Sequence, residues 1–175
     1  MEFHRSNEPS NEPIDDPFFA EFRRRHPDVD IVLLPPERPP GDADPGAEKV
    51  AAEALSRVDT QARQLWTAIA PDATEPPEVR YRFGIDPGSV RPVSALTTRR
   101  DDGYEVLVRL RHELESAGWD VRRPDGTVER LAGLLDTLAV SASYAEALGV
   151  LVFTMTGPSV NVGADRAREL TARTR

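Results

Sequence analysis

The sequence predicts an α+β fold: a two-layer sandwich in which an antiparallel sheet of about four to five strands carries two main helices on one face. Three observations predict it. Apolar residues recur at helical spacing over residues 47–70 and again over 104–117. After each of these stripes the pattern changes to alternation with a period of two. The resulting order of helix, strand, loop, helix, then four strands joined by turn signals suggests a single antiparallel sheet.

Residues 1–46 form an N-terminal extension. Residues 1–15 are polar and contain an echo, Ser6-Asn7-Glu8-Pro9 and Ser10-Asn11-Glu12-Pro13, which is expected to be a disordered tail. Asp16-Pro17 is a helix start, with aspartate as cap and proline in the first turn. Phe18, Phe19 and Phe22 then lie on one side of a short helix that ends near His26. Residues 29–34, Val-Asp-Ile-Val-Leu-Leu, are a compact strand candidate, and residues 35–46 are a proline-stiffened linker. The helix-strand unit either extends the main sheet or docks on another protein's sheet edge or groove.

The α+β domain is expected over residues 47–163. Ala51, Leu55, Val58, Ala62, Leu65, Trp66 and Ile69 make the stripe of a long helix that Pro71 stops. Residues 78–85 alternate as a strand, with Val79, Tyr81, Phe83 and Ile85 on one side and Arg80 and Arg82 on the other. Residues 88–100 are expected to be a loop, anchored by Val93 and Leu96. Asp101-Asp102 opens the second helix, whose stripe is Tyr104, Leu107, Leu110, Leu114 and Ala117. Gly118 closes it and lets Trp119 fold back on the last turn. Strands follow over residues 119–123 and 127–132, joined by the turn Pro124-Asp125-Gly126. Residues 133–137 are ambiguous, with a hairpin connection favoured. A strand covers Leu138 to Tyr144, where Leu138, Val140, Ala142 and Tyr144 alternate with Ala139, Ser141 and Ser143 as the strand's surface side. Residues 150–156 carry apolar side chains on both faces, which places that strand at the centre of the sheet. Residues 158–163 are a loop or short edge segment, and residues 164–175 a C-terminal helix and tail.

Composition excludes several functions. Net charge is −8, and it is uneven. Residues 1–46 carry eleven acidic and five basic side chains, residues 47–100 seven and eight, and residues 101–175 twelve and nine. No segment is strongly basic, which argues against general nucleic-acid binding. There is no cysteine, so disulfides, thiolate metal sites and a cysteine nucleophile are excluded. No window approaches the roughly 18 apolar residues of a membrane span, and the first residues lack a signal peptide's apolar run. The expected location is the cytoplasm, with leaderless export left open. The ratio of 21 arginines to a single lysine, Lys49, is the codon bias of a high-GC genome.

No catalytic constellation emerges, so the catalytic, metal and cofactor sets are expected to be empty. Gly157 and Gly163 are isolated and lack a P-loop lysine. His4, His26 and His112 do not cluster. The pairs Asp15-Asp16 and Asp101-Asp102 are explained as helix caps. Ser141, Ser143 and Tyr144 have no base nearby in sequence. Arg23, Arg24 and Arg25 complement the C-terminal end of the short helix or meet an acidic partner. Trp66 and Trp119 are expected in the core.

The order of strand 79–85, the helix ending Ala117-Gly118-Trp119 and the strand region 149–157 resembles that of small uncharacterised actinobacterial α+β proteins. Many of these are lipoproteins, and some act as accessory proteins of cell-envelope or secretion systems. The resemblance covers roughly residues 47–160 and transfers no catalytic residue. The lipid-attachment cysteine is missing here, so membrane anchoring does not carry over.

The functional expectation is a non-enzymatic protein-binding or accessory protein whose partner is another protein or a second copy of itself. The sheet would be one contact surface. Phe18, Phe19, Phe22, Arg23, Arg24, Arg25, Ile31 and Leu33 would form the other. One alternative is a neutralising protein for a toxin. Another is a small-ligand-binding or enzymatic domain with a pocket between helices and sheet, which a cavity lined by Tyr81, Arg82, Tyr104 and Trp119 would favour.

Overall fold

The computed structural model describes residues 17–26, 42–124, 126 and 128–172. The chain divides into two units, Met1–Glu37 and Arg38–Arg175. In the first unit, helix α1 spans Pro17–Arg25. The strand expected over residues 29–34 lies outside the described residues.

The second unit is α+β and its sheet is antiparallel throughout. Helix α2 (Ala47–Ile69) precedes strands β1 (Glu78–Phe83) and β2 (Ser89–Arg99). Helix α3 (Gly103–Ser116) follows, then β3 (Asp120–Arg122), β4 (Glu129–Leu135), β5 (Leu138–Ala145), β6 (Val150–Thr156), β7 (Val160–Asn161) and helix α4 (Ala164–Ala172). The strands run in the order β1-β2-β6-β5-β4-β3, with β7 paired to the start of β2. The sheet therefore has seven strands rather than four to five.

The difference comes mainly from β2. Residues 88–100 were expected as a loop, yet β2 is the longest strand and joins β1, β6 and β7. Pro92 disguises it, because proline cannot donate to a ladder and is rare inside a sheet. Its placement resolves the conflict. β7 pairs with Ser89 and Val90, and β6 pairs from Val93 onward, so Pro92 falls at the gap between two successive neighbours. Across that gap the Pro92 carbonyl accepts the Gly157 N–H at 3.0 Å.

Register sorts every strand into two faces. On one face, Val79, Ser94, Met155, Val140, Gly133 and Val121 form a row from edge to edge. Beside it runs the row Leu96, Phe153, Ala142 and Leu131. This face meets Val58, Ala62, Trp66 and Ile69 of α2 and Val106, Leu107, Leu110 and Leu114 of α3 in one core. The Trp66 and Phe153 rings lie 5.5 Å apart at 48°, and the indole N–H donates to the Glu75 carbonyl at 3.1 Å. A smaller cluster joins Ala47 and Ala51 of α2, Val90 of β2, Val160 and Val162, and Ala167 of α4.

Several local expectations hold. The α2 stripe buries Ala51, Val58, Ala62, Trp66 and Ile69, with Leu65 packed at the rim. Gly118 has φ +80°, and the Trp119 N–H reaches back to the Leu114 carbonyl at 3.0 Å. That bond places Trp119 against the core. Strand β6 is central, between β2 and β5. Tyr104 departs from expectation: it is 52% exposed, and Val106 takes the buried position in its turn. Ile85 lies beyond β1 and is exposed. The hairpin between β4 and β5 tightens to Asp136-Thr137, with Asp136 at φ 52°.

Candidate functional site

Among the described residues of this unit, the opposite face of the sheet carries no layer of its own. The core side chains of α2, α3 and α4 meet the first face, and on the second, apart from Ser89 at the start of β2, the residues are half-buried or exposed. Its rows follow from the same register. Glu78, Ala95, Thr154, Ser141, Ala132 and Arg122 form one row. Arg80, Val93, Thr156, Ala139, Leu134 and Asp120 form the next. Thr97, Val152, Ser143 and Arg130 run on the far side of the first.

The chemistry of this face is specific. Its centre is small, neutral and β-branched: Ala, Ser, Thr and Val on three central strands. Such residues leave a flat surface with little side-chain entropy to lose on contact. Leu134 adds a large apolar group that is 52% exposed. Beside it lies a depression of about 340 Å³ lined by Asp120, Ala132, Leu134, Ala139, Ser141 and Thr154 among others.

Charge is concentrated at its margins. Six arginines (80, 82, 91, 99, 122 and 130) and two carboxylates (Glu78 and Asp120) point to this face, which makes it net positive by four on a chain of net charge −8. Of the sixteen arginines whose side chains are described, ten form ion pairs. The six without one are Arg57, Arg80, Arg82, Arg91, Arg99 and Arg130, and all but Arg57 lie on this face. Elsewhere in the unit some carboxylates are matched to other cations, as when Asp72 and Asp102 both hold Arg100.

The residues proposed from sequence are distributed as follows. Phe18 is 69% exposed and Phe22 36% exposed, and the Phe22 and His26 rings are 4.8 Å apart. Arg24 and Arg25 both turn onto Glu21, at 2.7 and 2.8 Å. The Arg24 hydrogen bond holds the Glu21 carboxyl below its usual range. These two basic side chains therefore carry a counter-charge of their own. Phe19 and Arg23 sit within α1, while Ile31 and Leu33 lie outside the described residues.

Tyr81, Arg82, Tyr104 and Trp119 do not converge. Tyr81 and Arg82 line a depression of about 400 Å³ between β1 and α4. Burial raises the Tyr81 hydroxyl pKa above its ordinary value. Tyr104 borders a separate 60 Å³ hollow against α3, and Trp119 packs on the core. Among the described residues, no group of three or more His, Asp or Glu side chains is placed to hold a metal ion. No described helix is long and apolar enough to cross a membrane.

Sequence reasoning had sorted Arg80 and Arg82 onto one strand face and Ala139, Ser141 and Ser143 onto another. It could not join them, because the join passes through β2. Comparison with protein-family models, with curated proteins and with solved structures finds no match.

Proposed function

We propose that this chain is a non-enzymatic protein-binding module, with the uncovered sheet face as its contact surface. The observation that carries the reading is the combination of a broad, flat face with a neutral centre and marginal arginines that have no ion pair among the described residues. A sheet face normally buries one side and solvates the other with charged and long polar residues. Here the second side is small and neutral at its centre and charged only at its margins. That is the layout of an interface core with a polar rim. The depression beside Leu134 suits an anchoring side chain, the kind of contact that carries most of an interface's binding energy.

An accessory role of the sort carried by the actinobacterial envelope and secretion-associated proteins it resembles fits this reading, as does neutralisation of a toxin. Both need a protein contact surface and no catalytic group. A cytoplasmic location goes with the reading and is part of the proposal. A contribution from the phenylalanine side of α1 belongs to it too, as a second contact element.

Photo-crosslinking tests the reading. A benzophenone amino acid placed at Thr154, at Ser141 or at Gln64 on the outer side of α2 is irradiated in cells that make the protein. One and the same polypeptide captured from Thr154 and Ser141, absent from Gln64, and binding the purified chain in calorimetry supports it. Equal capture from all three positions, or none from the sheet, contradicts it.

A further inference from the structure

We propose that the partner is an acidic polypeptide whose carboxylates lie over the arginine cluster at the β1–β2 end of the uncovered face. This rests on the protein-binding reading above and adds the chemistry of the partner. Arg82 and Arg91 face each other directly across the β1–β2 ladder. Opposed side chains in such a pair have Cβ atoms about 5 Å apart, and like charges there destabilise the sheet. Arg80 is the diagonal neighbour of Arg91 in the same pair of strands. None of the three has an ion pair among the described residues, whereas ten other arginines do. The Nε of half-buried Arg91 is shielded from water and has no hydrogen-bond acceptor. A shielded cationic donor without an acceptor is costly, and an incoming carboxylate relieves both the orphaned donor and the repulsion.

The site also has room. The depression of about 400 Å³ at the β1 edge is lined by Arg80, Arg82 and Phe83, with Arg168 from α4. Carboxylates bound along this edge would therefore meet guanidinium groups from a strand and from a helix. The neutral centre of Val93, Ala95, Val152 and Thr154 lies beside the cluster and takes the apolar part of a protein partner. Single-stranded nucleic acid is disfavoured by the same surface. Such binding uses successive aromatic stacking platforms; the paired residues that register assigns to this face include no aromatic side chain, and the lining of the depression at its edge adds Tyr81 and Phe83 alone.

The test uses the full chain and a fluorescein-labelled peptide of alternating Glu and Val, about eight residues long, at about 150 mM salt. A Gln–Val peptide of the same length and an oligothymidylate serve as comparisons. The Glu–Val peptide is expected to bind more tightly than either. The double substitution Arg82→Gln, Arg91→Gln should weaken it by about tenfold or more, the scale of one lost charge-assisted contact. Arg57→Gln should leave it unchanged. The doubly substituted chain should keep or raise its thermal midpoint, because a like-charge pair is removed. Equal affinity for the Glu–Val and Gln–Val peptides, no effect of the double substitution, or tighter binding of the oligothymidylate overturns the proposal. Crosslinking from Thr154 separates this failure from failure of the underlying reading. A partner captured equally by the wild-type and doubly substituted chains contradicts the acidic assignment alone. No capture at all contradicts the reading itself.

Discussion

Asp102 and Gly103 decide how α3 joins the sheet. Asp102 stands at the helix start, where a capping carboxylate was expected, but its side chain makes no cap hydrogen bond. It accepts instead from Arg100 at 2.6 Å and from Arg109 at 3.0 Å. Arg109 in turn donates to the Ile69 carbonyl at 2.7 Å, tying α3 to the end of α2. The hydrogen bond from Arg100, aided by that from Arg109, holds the Asp102 carboxyl below its usual range, and Arg100 lowers Asp72 likewise. A carboxyl whose folded-state pKa is depressed stabilises the fold above its unfolded value, near about 4, and that stabilisation is lost as pH falls through the folded value. Thermal midpoints measured across pH should therefore fall on acidification below about pH 4. Asp102→Asn should lower the midpoint at neutral pH and flatten that acid limb. The neighbouring Gly103 has a different constraint. A Cβ there would run into the Tyr144 ring, which is buried and held by a 3.2 Å hydrogen bond from its hydroxyl to the Arg100 carbonyl. Alanine would gain about 1 kcal/mol of helix propensity, but overpacking against a fixed ring costs about 1–3 kcal/mol. Gly103→Ala should lower stability in urea titration, with the slope unchanged.

At the level of elements, the legible parts were those whose burial repeats locally. Val58, Ala62, Trp66 and Ile69 recur at helical spacing, and Leu138, Val140, Ala142 and Tyr144 alternate, so α2 and β5 could be placed from the residues alone. Strand β2 could not. Pro92 breaks the donor row, and Ser94 and Thr98 fill inward positions where apolar residues would have marked a core face. Only register with β1 and β6 makes a strand of these residues. Tyr104 erred in the opposite sense: one helical position separates a core residue from a surface one, and Val106 took the inward site. The central pairing of β2 with β6 predicts where the core is most sensitive. Phe153 is 1% exposed at the middle of β6, with Trp66 against it. Phe153→Ala should cost about 3–5 kcal/mol by denaturant titration, while Thr97→Ala, on the exposed face of β2, should change stability by less than about 1 kcal/mol.

Across the whole molecule the asymmetry is between the two faces of one sheet. Three helices cover one, and the other presents small neutral residues bounded by arginines, five of which have no ion pair among the described residues. Alternation along a strand distinguishes the two faces but carries no information about whether the second meets water or another protein. For that reason Ala139, Ser141 and Ser143 looked like ordinary solvent-facing residues, and the surface became visible only when the rows were assembled across the sheet. The absence of cysteine allows a direct measurement. A single thiol introduced by Ser141→Cys reports access to the centre of the uncovered face, and Gln64→Cys on exposed α2 surface is its reference. Maleimide labelling is timed on the purified chain and again inside the cells that make it. A contact surface predicts rapid labelling of both thiols in the purified chain, with Ser141→Cys protected and Gln64→Cys unprotected in the cell. Equal labelling of the two in the cell, or slow labelling of Ser141→Cys in the purified chain, would contradict the account.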